Sequence, residues 1–113
     1  MLKRIISGAF IFAACIGTSA SSAGTMLASW YGPYFHGRLT ANGEIYNMHG
    51  ITAAHKTLPF NTKLRVCYKR CVDVRINDRG PYIGQRELDL SYGAAKAVGL
   101  IHRGVANVRI FYI

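Results

Sequence analysis

Carboxyl groups are scarce in this chain, and where they fall is informative. The 113 residues hold five acids: Glu44, Asp73, Asp78, Glu87 and Asp89. Asp78 lies in Asn77-Asp78-Arg79-Gly80-Pro81-Tyr82. That hexapeptide follows Val72 to Ile76, whose apolar residues recur at every second place, the period of a half-buried strand. A carboxylate at a strand exit, beside a guanidinium and ahead of a Gly-Pro turn, is held in one orientation. Loops on a rigid β scaffold are where reactive groups concentrate. The plainer alternative is that Asn77 and Asp78 only bond their own backbone to shape the turn. Asp73 faces Arg65 across an expected hairpin and reads as a surface ion pair. Glu87, between Arg86 and Leu88, carries no special signal and is assigned to the surface. Glu44, Asp78 and Asp89 remain, each beside a turn or an element boundary. Carboxyl groups so placed suit glycan cleavage, in which they serve as acid and base.

Other chemistries are poorly served. His55 closes a small-residue segment before a loop and is the most promising histidine, although a lone histidine is more often structural than catalytic. His36, His49 and His102 sit beside glycine-containing turns and are expected to be exposed. No His/Cys/Asp grouping has metal-ligand spacing, and neither a serine nucleophile elbow nor a phosphate loop is present. No metal or cofactor is expected.

The elements that must position these groups are short. Leu27 to Gly32 reads as a first strand ending in a glycine turn, and Asn42-Gly43 as a turn just before Glu44. Ile51 to His55 is a short apolar segment whose small residues do not settle its type. Thr62 to Ile76 carries the clearest pattern. Leu64 and Val66 alternate with Lys63, Arg65 and Cys67, and Val72, Val74 and Ile76 alternate with Cys71, Asp73 and Arg75. A three-residue loop, Tyr68-Lys69-Arg70, makes this a hairpin. The register sets Cys67 opposite Cys71, and a facing Cα separation of roughly 4.5–5.5 Å suits a disulfide. Ser91 reads as the N-cap, and Gly99 as the C-terminal stop, of a short helix from Tyr92. Val105 to Ile113 reads as a last strand. Many short strands with turn signals and one short helix predict a small β-barrel.

Residues 1–23 are expected to be a cleaved leader. Met1 to Arg4 is basic, Ile5 to Ala14 is apolar, and small residues follow to Ala23. These are the three regions of a secretory signal peptide, and the apolar run is too short for a membrane anchor. The domain is then 24–113. Its charge falls from +9 to +7 as Lys3 and Arg4 leave. An exported basic protein meets anionic envelope polymers; no nucleic-acid motif is present, and export argues against that partner. Phe12-Ala13-Ala14-Cys15 partly matches a lipobox, so lipidation at Cys15, giving an outer-membrane lipoprotein, stays open beside a periplasmic or secreted product. Either way no transmembrane anchor is expected after cleavage, and the protein is expected to be a monomer.

The blocks Ala28-Ser29-Trp30-Tyr31-Gly32, Phe35-His36-Gly37-Arg38 with Thr40-Ala41-Asn42-Gly43-Glu44, Thr52 to Pro59, Asn77 to Pro81 and Asp89-Leu90-Ser91 resemble the rare lipoprotein A family. That family contains septal-ring lytic transglycosylases. The resemblance runs from about Leu27 to the C-terminus. It implies a six-stranded double-psi β-barrel, all-β with one or two short helices, and peptidoglycan as substrate. It also implies non-hydrolytic cleavage between N-acetylmuramic acid and N-acetylglucosamine, leaving a 1,6-anhydro end. Matched block by block, the important acid and histidine positions fall on Glu44, His55 and Asp78, and Asp89 matches an aspartate that related barrels place in the same groove. Asp78 is then the expected acid/base, its pKa raised by partial burial. Glu44 and His55 would position or polarise the sugar, with Asp89 as reserve acid. Tyr31 and Tyr82 are expected either to stack on sugar faces or to pack at the barrel rim, Arg79 to meet a lactyl or peptide carboxylate, and Thr40, Asn42 and Asn77 to contact substrate.

The chain departs from the family in two ways. Many members carry a sporulation-related repeat that binds peptide-stripped glycan, and these 113 residues do not include it. Septal targeting and a preference for stripped strands therefore stay open. The hairpin closed by Cys67 and Cys71 is shorter than usual. Expansins share the barrel and loosen polysaccharide without cutting it, so a non-catalytic binding or wall-loosening module is the alternative.

Overall fold

The computed structural model describes residues 24–113. The expected leader and Cys15 lie outside the described residues. Six strands form a closed barrel: β1 (Gly24–Trp30), β2 (Thr52–His55), β3 (Lys63–Cys67), β4 (Cys71–Asp78), β5 (Leu88–Leu90) and β6 (Ala106–Tyr112). Around the barrel the order is β1-β5-β2-β4-β3-β6. The β1/β5 and β2/β4 pairs are parallel, and the other four are antiparallel. One helix, α1 (Tyr92–Val98), links β5 to β6.

Alternation explains the barrel. Leu64 and Val66 on β3, Val74 and Ile76 on β4, Leu88 and Leu90 on β5, and Val108 and Ile110 on β6 point inward and are buried. Each such side chain contributes about 1.5–3 kcal/mol relative to exposure. Ala28 and Ala53 complete the interior where the walls approach. The β3–β4 hairpin has the expected register, Arg65 opposite Asp73 and Cys67 opposite Cys71. Cys67 and Cys71 are disulfide-bonded with Cα atoms 4.0 Å apart. Arg65 grips Asp73 with two hydrogen bonds, of 2.7 and 3.0 Å.

Helix α1 is capped as expected. The Ser91 hydroxyl accepts from the Ala94 N–H at 3.1 Å, and Gly99 turns left-handed at φ 84°. Its buried face, Ala94, Ala95 and Val98, packs into the barrel core. Gly93 is required by close approach, since a Cβ there would lie 2.7 Å from the His49 carbonyl oxygen.

Two strands had no clear sequence signal. β2 is Thr-Ala-Ala-His, and β5 is three residues long. In the closed barrel both have neighbours on either side. Their ladders form because flanking strands supply partners, so intrinsic propensity matters little.

Candidate active site

Short strands position the acids through one transverse row. Ser29 on β1 pairs with Asp89 on β5, Asp89 with Ala54 on β2, and Ala54 with Asp78 on β4. The row lies on the face away from the main core, since its neighbours Ala28, Leu88, Leu90, Ala53 and Ile76 point inward. Asp78 reaches that face through a β-bulge. Ala53 pairs with Ile76 and Ala54 with Asp78, so Asn77 is the extra residue. Without the bulge, simple alternation would turn Asp78 to the opposite face. Strands stand about 4.8 Å apart, so the two aspartates leave the backbone roughly 10 Å from each other, on either side of Ala54.

The turn after β4 closes the site. Gly80 has φ 118°, a conformation L side chains rarely adopt. Asp78, Arg79, Gly80, Pro81, Tyr82 and Asp89, with Tyr31 and Phe35, line a groove of about 190 Å³. A larger depression, about 440 Å³, is bordered by Lys69, Arg70, Lys96 and His102 and holds no carboxylate. The smaller one holds two carboxylates, Asp78 and Asp89, and is the candidate site.

The groove acids differ in their bonds. Asp78 Oδ1 accepts from the Ala41 N–H and from the Arg79 N–H, both at 2.9 Å. Asp89 Oδ1 accepts from the Ser29 hydroxyl at 3.1 Å. Burial pushes Asp89 up to about 6, against smaller opposing effects of Ser29 and Arg86, and Asp78 pushes the same way. An acid with such a value keeps its proton up to about pH 6, well above an ordinary aspartate, as suits a proton donor.

Glu44 is close by but built differently. Its carboxylate receives Arg75 Nη1 and Nη2 at 2.7 and 2.9 Å and Asn77 Nδ2 at 3.0 Å. These donors, Arg75 first, lower it from 4.5 to about 2. It is ionised across the working range and does not line the groove. It clamps loop 38–46 to β4, and the same loop supplies the Ala41 N–H to Asp78. Arg75 went unmarked in the sequence; its place as every second residue of β4, facing away from Val74 and Ile76, was the available signal.

Several expected contacts take other roles. The Thr40 hydroxyl donates to Asn42 Oδ1 at 2.6 Å, and the Glu44 N–H donates to the same oxygen at 3.1 Å. Both side chains are thus spent inside the loop. Asn77 is 2% exposed and serves Glu44. His55 Nδ1 accepts from the Thr57 and Leu58 N–H groups at 3.1 Å. Burial lowers its pKa, and it borders a separate depression with Lys56, Thr57 and Glu87. Glu87, exposed as expected, also accepts the Leu27 N–H at 3.0 Å. Tyr31 offers no open ring face: it is 8% exposed, packed on Tyr46 at 4.7 Å and Phe35 at 5.8 Å. Tyr82, by contrast, is 74% exposed at the groove rim. Arg79 borders the groove with its guanidinium 4.0 Å over the Phe60 ring, donating to the His55 carbonyl at 3.3 Å. Among the described residues, no cluster of three His, Cys, Asp or Glu could hold a metal.

Comparison with known proteins agrees with this barrel. The family model described as Lytic transglycolase matches residues 23–110. The chain is 58% identical over 87 residues to the probable endolytic peptidoglycan transglycosylase RlpA of Synechocystis sp., covering 74% of this chain and 27% of that protein. It is 55% identical over 87 residues to endolytic peptidoglycan transglycosylase RlpA of Campylobacter jejuni, covering 74% and 32% respectively. With the RlpA of Vibrio cholerae it shares 54% over 86 residues, covering 74% and 33%. The chain thus spans about a third of the length of these relatives. Among solved structures, Streptomyces papain inhibitor superposes with a TM-score of 0.61 at 20% identity, covering 83% of this chain and 97% of that one. That likeness concerns the fold alone. The six strands form the double-psi β-barrel that the family resemblance implied, and the chain belongs to the Lytic transglycolase family.

Proposed function

We propose that this domain is a peptidoglycan lytic transglycosylase, cutting the bond from N-acetylmuramic acid to N-acetylglucosamine and leaving a 1,6-anhydro end. The supporting observation is the groove in which a partly buried carboxyl, Asp89, pushed up to about 6, shares a strand row with Asp78. Relatives over half identical across the barrel are named for the same activity.

In this reading Asp89 is the proton donor and Asp78 the companion carboxylate, the reverse of the order drawn from the motifs. Asp89 gives its proton to the bridging oxygen as the C1–O4 bond breaks. Asp78 stabilises the positive charge growing at C1. The C6 hydroxyl attacks C1, and its proton returns to Asp89, which ends as it began. Tyr82 stacks on a sugar ring, and Arg79 meets a lactyl or peptide carboxylate at the rim. Glu44, His55, Thr40, Asn42 and Asn77 hold the loops that frame the groove.

Such a substrate places the protein outside the cytoplasm, in the periplasm or secreted, with attachment through Cys15 as the variant form. Among the described residues, no helix is long and apolar enough to cross a membrane. The domain is taken to act as a monomer. The test is digestion of purified sacculi followed by mass analysis of the products. Anhydro-muropeptides from the wild type, lost in Asp89→Asn, support the proposal. Binding to sacculi with no new chain ends would make the domain a non-catalytic module.

A further inference from the structure

All five acids of the chain lie elsewhere than the depression of about 440 Å³ between the tip of the β3–β4 hairpin and the end of α1. Lys69, Arg70, Lys96 and His102 surround it, and Tyr92 and Ile101 give it an apolar wall. A lysine in the last turn of a helix has a plain role, balancing the carbonyls left open there. Those carbonyls are already answered. Arg70 Nε and Nη2 donate to the Ala97 and Lys96 oxygens at 2.9 and 3.3 Å. The Lys69 and Arg70 N–H groups donate to the Val98 oxygen at 3.0 and 3.3 Å. Lys69 and Lys96 are exposed, and among the described residues their ammonium groups have no acid partner. Gly99 keeps the space between them open, since a Cβ there would lie 3.0 Å from Lys69 Cδ. Like charges gathered without a counter-charge repel one another, and a bound anion relieves that cost.

A line of rings joins this depression to the catalytic groove. Phe35 lines the groove, and His36 follows it in the chain. The His36 and His49 rings are 6.0 Å apart, and the His49 and Tyr92 rings 6.2 Å apart. Tyr92 then lines the depression. Phe35, His36 and His49 are exposed, and rings of this kind commonly line ligand sites. Tyr92 is also three residues beyond Asp89, about 10 Å along extended chain. Its ring is held edge-on against Trp30 at 5.6 Å, and Trp30 Nε1 donates to the Ile101 carbonyl at 3.3 Å.

We propose that the depression is a second contact for the glycan strand cut in the groove, with Lys69 and Lys96 binding carboxylates carried by its muramic residues and the rings supporting the sugars between. This rests on the reading of peptidoglycan as substrate and deepens it. Each muramic residue ends in a lactyl carboxylate or, where a stem peptide is attached, in the carboxylates of that peptide. Both are anions spaced along one polymer, so a strand seated in the groove brings a further carboxylate within reach of the lysines.

The test is cosedimentation of the protein with purified sacculi across a salt series, comparing wild type with the double variant Lys69→Gln and Lys96→Gln. The variant should bind roughly 3- to 10-fold more weakly at low salt, and its binding should depend less on salt. Lys63→Gln with Arg109→Gln removes the same charge from exposed positions outside the depression and should bind as wild type does. Sacculi whose carboxyl groups are amidated with a carbodiimide should bind wild type more weakly by a similar factor. Strands stripped of peptide by an amidase keep only the lactyl carboxylate; loss of affinity in the lysine variant on these strands assigns the contact to the lactyl group, and loss only on peptide-bearing strands assigns it to the peptide. Equal binding by wild type and the lysine variant on both overturns the inference. An equal loss in the Lys63 and Arg109 pair, or binding indifferent to amidation, also overturns it. Binding is scored apart from cleavage, so wild type that binds through these lysines and leaves no anhydro ends overturns the transglycosylase reading instead.

Discussion

Glu44 and Asp89 are carboxyl groups set against the same barrel wall, yet their surroundings drive them in opposite directions. Glu44 meets a two-pronged guanidinium and an amide, and falls to about 2. Asp89 meets one serine hydroxyl, is largely buried, has Asp78 near, and rises to about 6. The number of donors, set against the loss of water, decides which acid keeps a proton. Position in a motif does not. In the proposed mechanism Glu44 accordingly holds a loop, and Asp89 gives a proton.

The largest expected effect breaks the comparison at Asp89. Asp89→Asn should lower anhydro-end formation on sacculi by about 10²- to 10⁴-fold with the circular dichroism spectrum unchanged. Retained turnover would move the donor elsewhere. Next is the Glu44 side. Arg75→Ala and Glu44→Gln should each lower turnover by roughly tenfold through a loosened loop, and melt a few degrees lower. Their pH–rate profiles should keep the wild-type shape, falling as pH rises through about 6 as Asp89 loses its proton. A profile that changes shape in Glu44→Gln would make Glu44 the titrating acid.

Stability against pH sharpens the contrast. Asp89 is raised from 3.8 to about 6, so the folded state holds more protons than the unfolded between those values. Stability from this group is present below the unfolded value and is lost as pH rises through about 6. Asp89→Asn should therefore be more stable than wild type at pH 7.5, by an amount on the order of 3 kcal/mol at most, and the gain should vanish below about pH 4. Glu44 has the opposite sign. Its lowered pKa stabilises above the unfolded value, and the benefit is lost as pH falls toward about 2. Its side chain is 39% exposed, so that benefit is small. The smallest effect is on the disulfide. Cys67 and Cys71 are four positions apart, so replacing both with serine removes little loop entropy. It should cost about 2 kcal/mol or less, with the sacculus assay unchanged.

Much of this was legible in the residues. Period-two patterns marked β3, β4 and β6, and Ser91 with Gly99 marked the helix, because those signals are local. β2 and β5 were not legible, because their alanines, histidine and aspartate become strand only when neighbours pair with them. The motif blocks located Asp78, Glu44 and Asp89 on one side of the barrel, but not their environments. Arg75 was hidden because an alternating arginine on a strand reads as solvent-facing, and only the returning loop reveals its partner. For Tyr31 the residues left stacking and packing both open, because burial of its ring depends on Tyr46 and Phe35, distant in pattern though near in space.

The most direct measurement is a carboxyl ¹³C NMR titration of the folded domain, following Glu44 and Asp89 in one sample. Asp89 should titrate near 6, and Glu44 should still be ionised at pH 3. Both groups titrating together near 4 would contradict the division of roles between them.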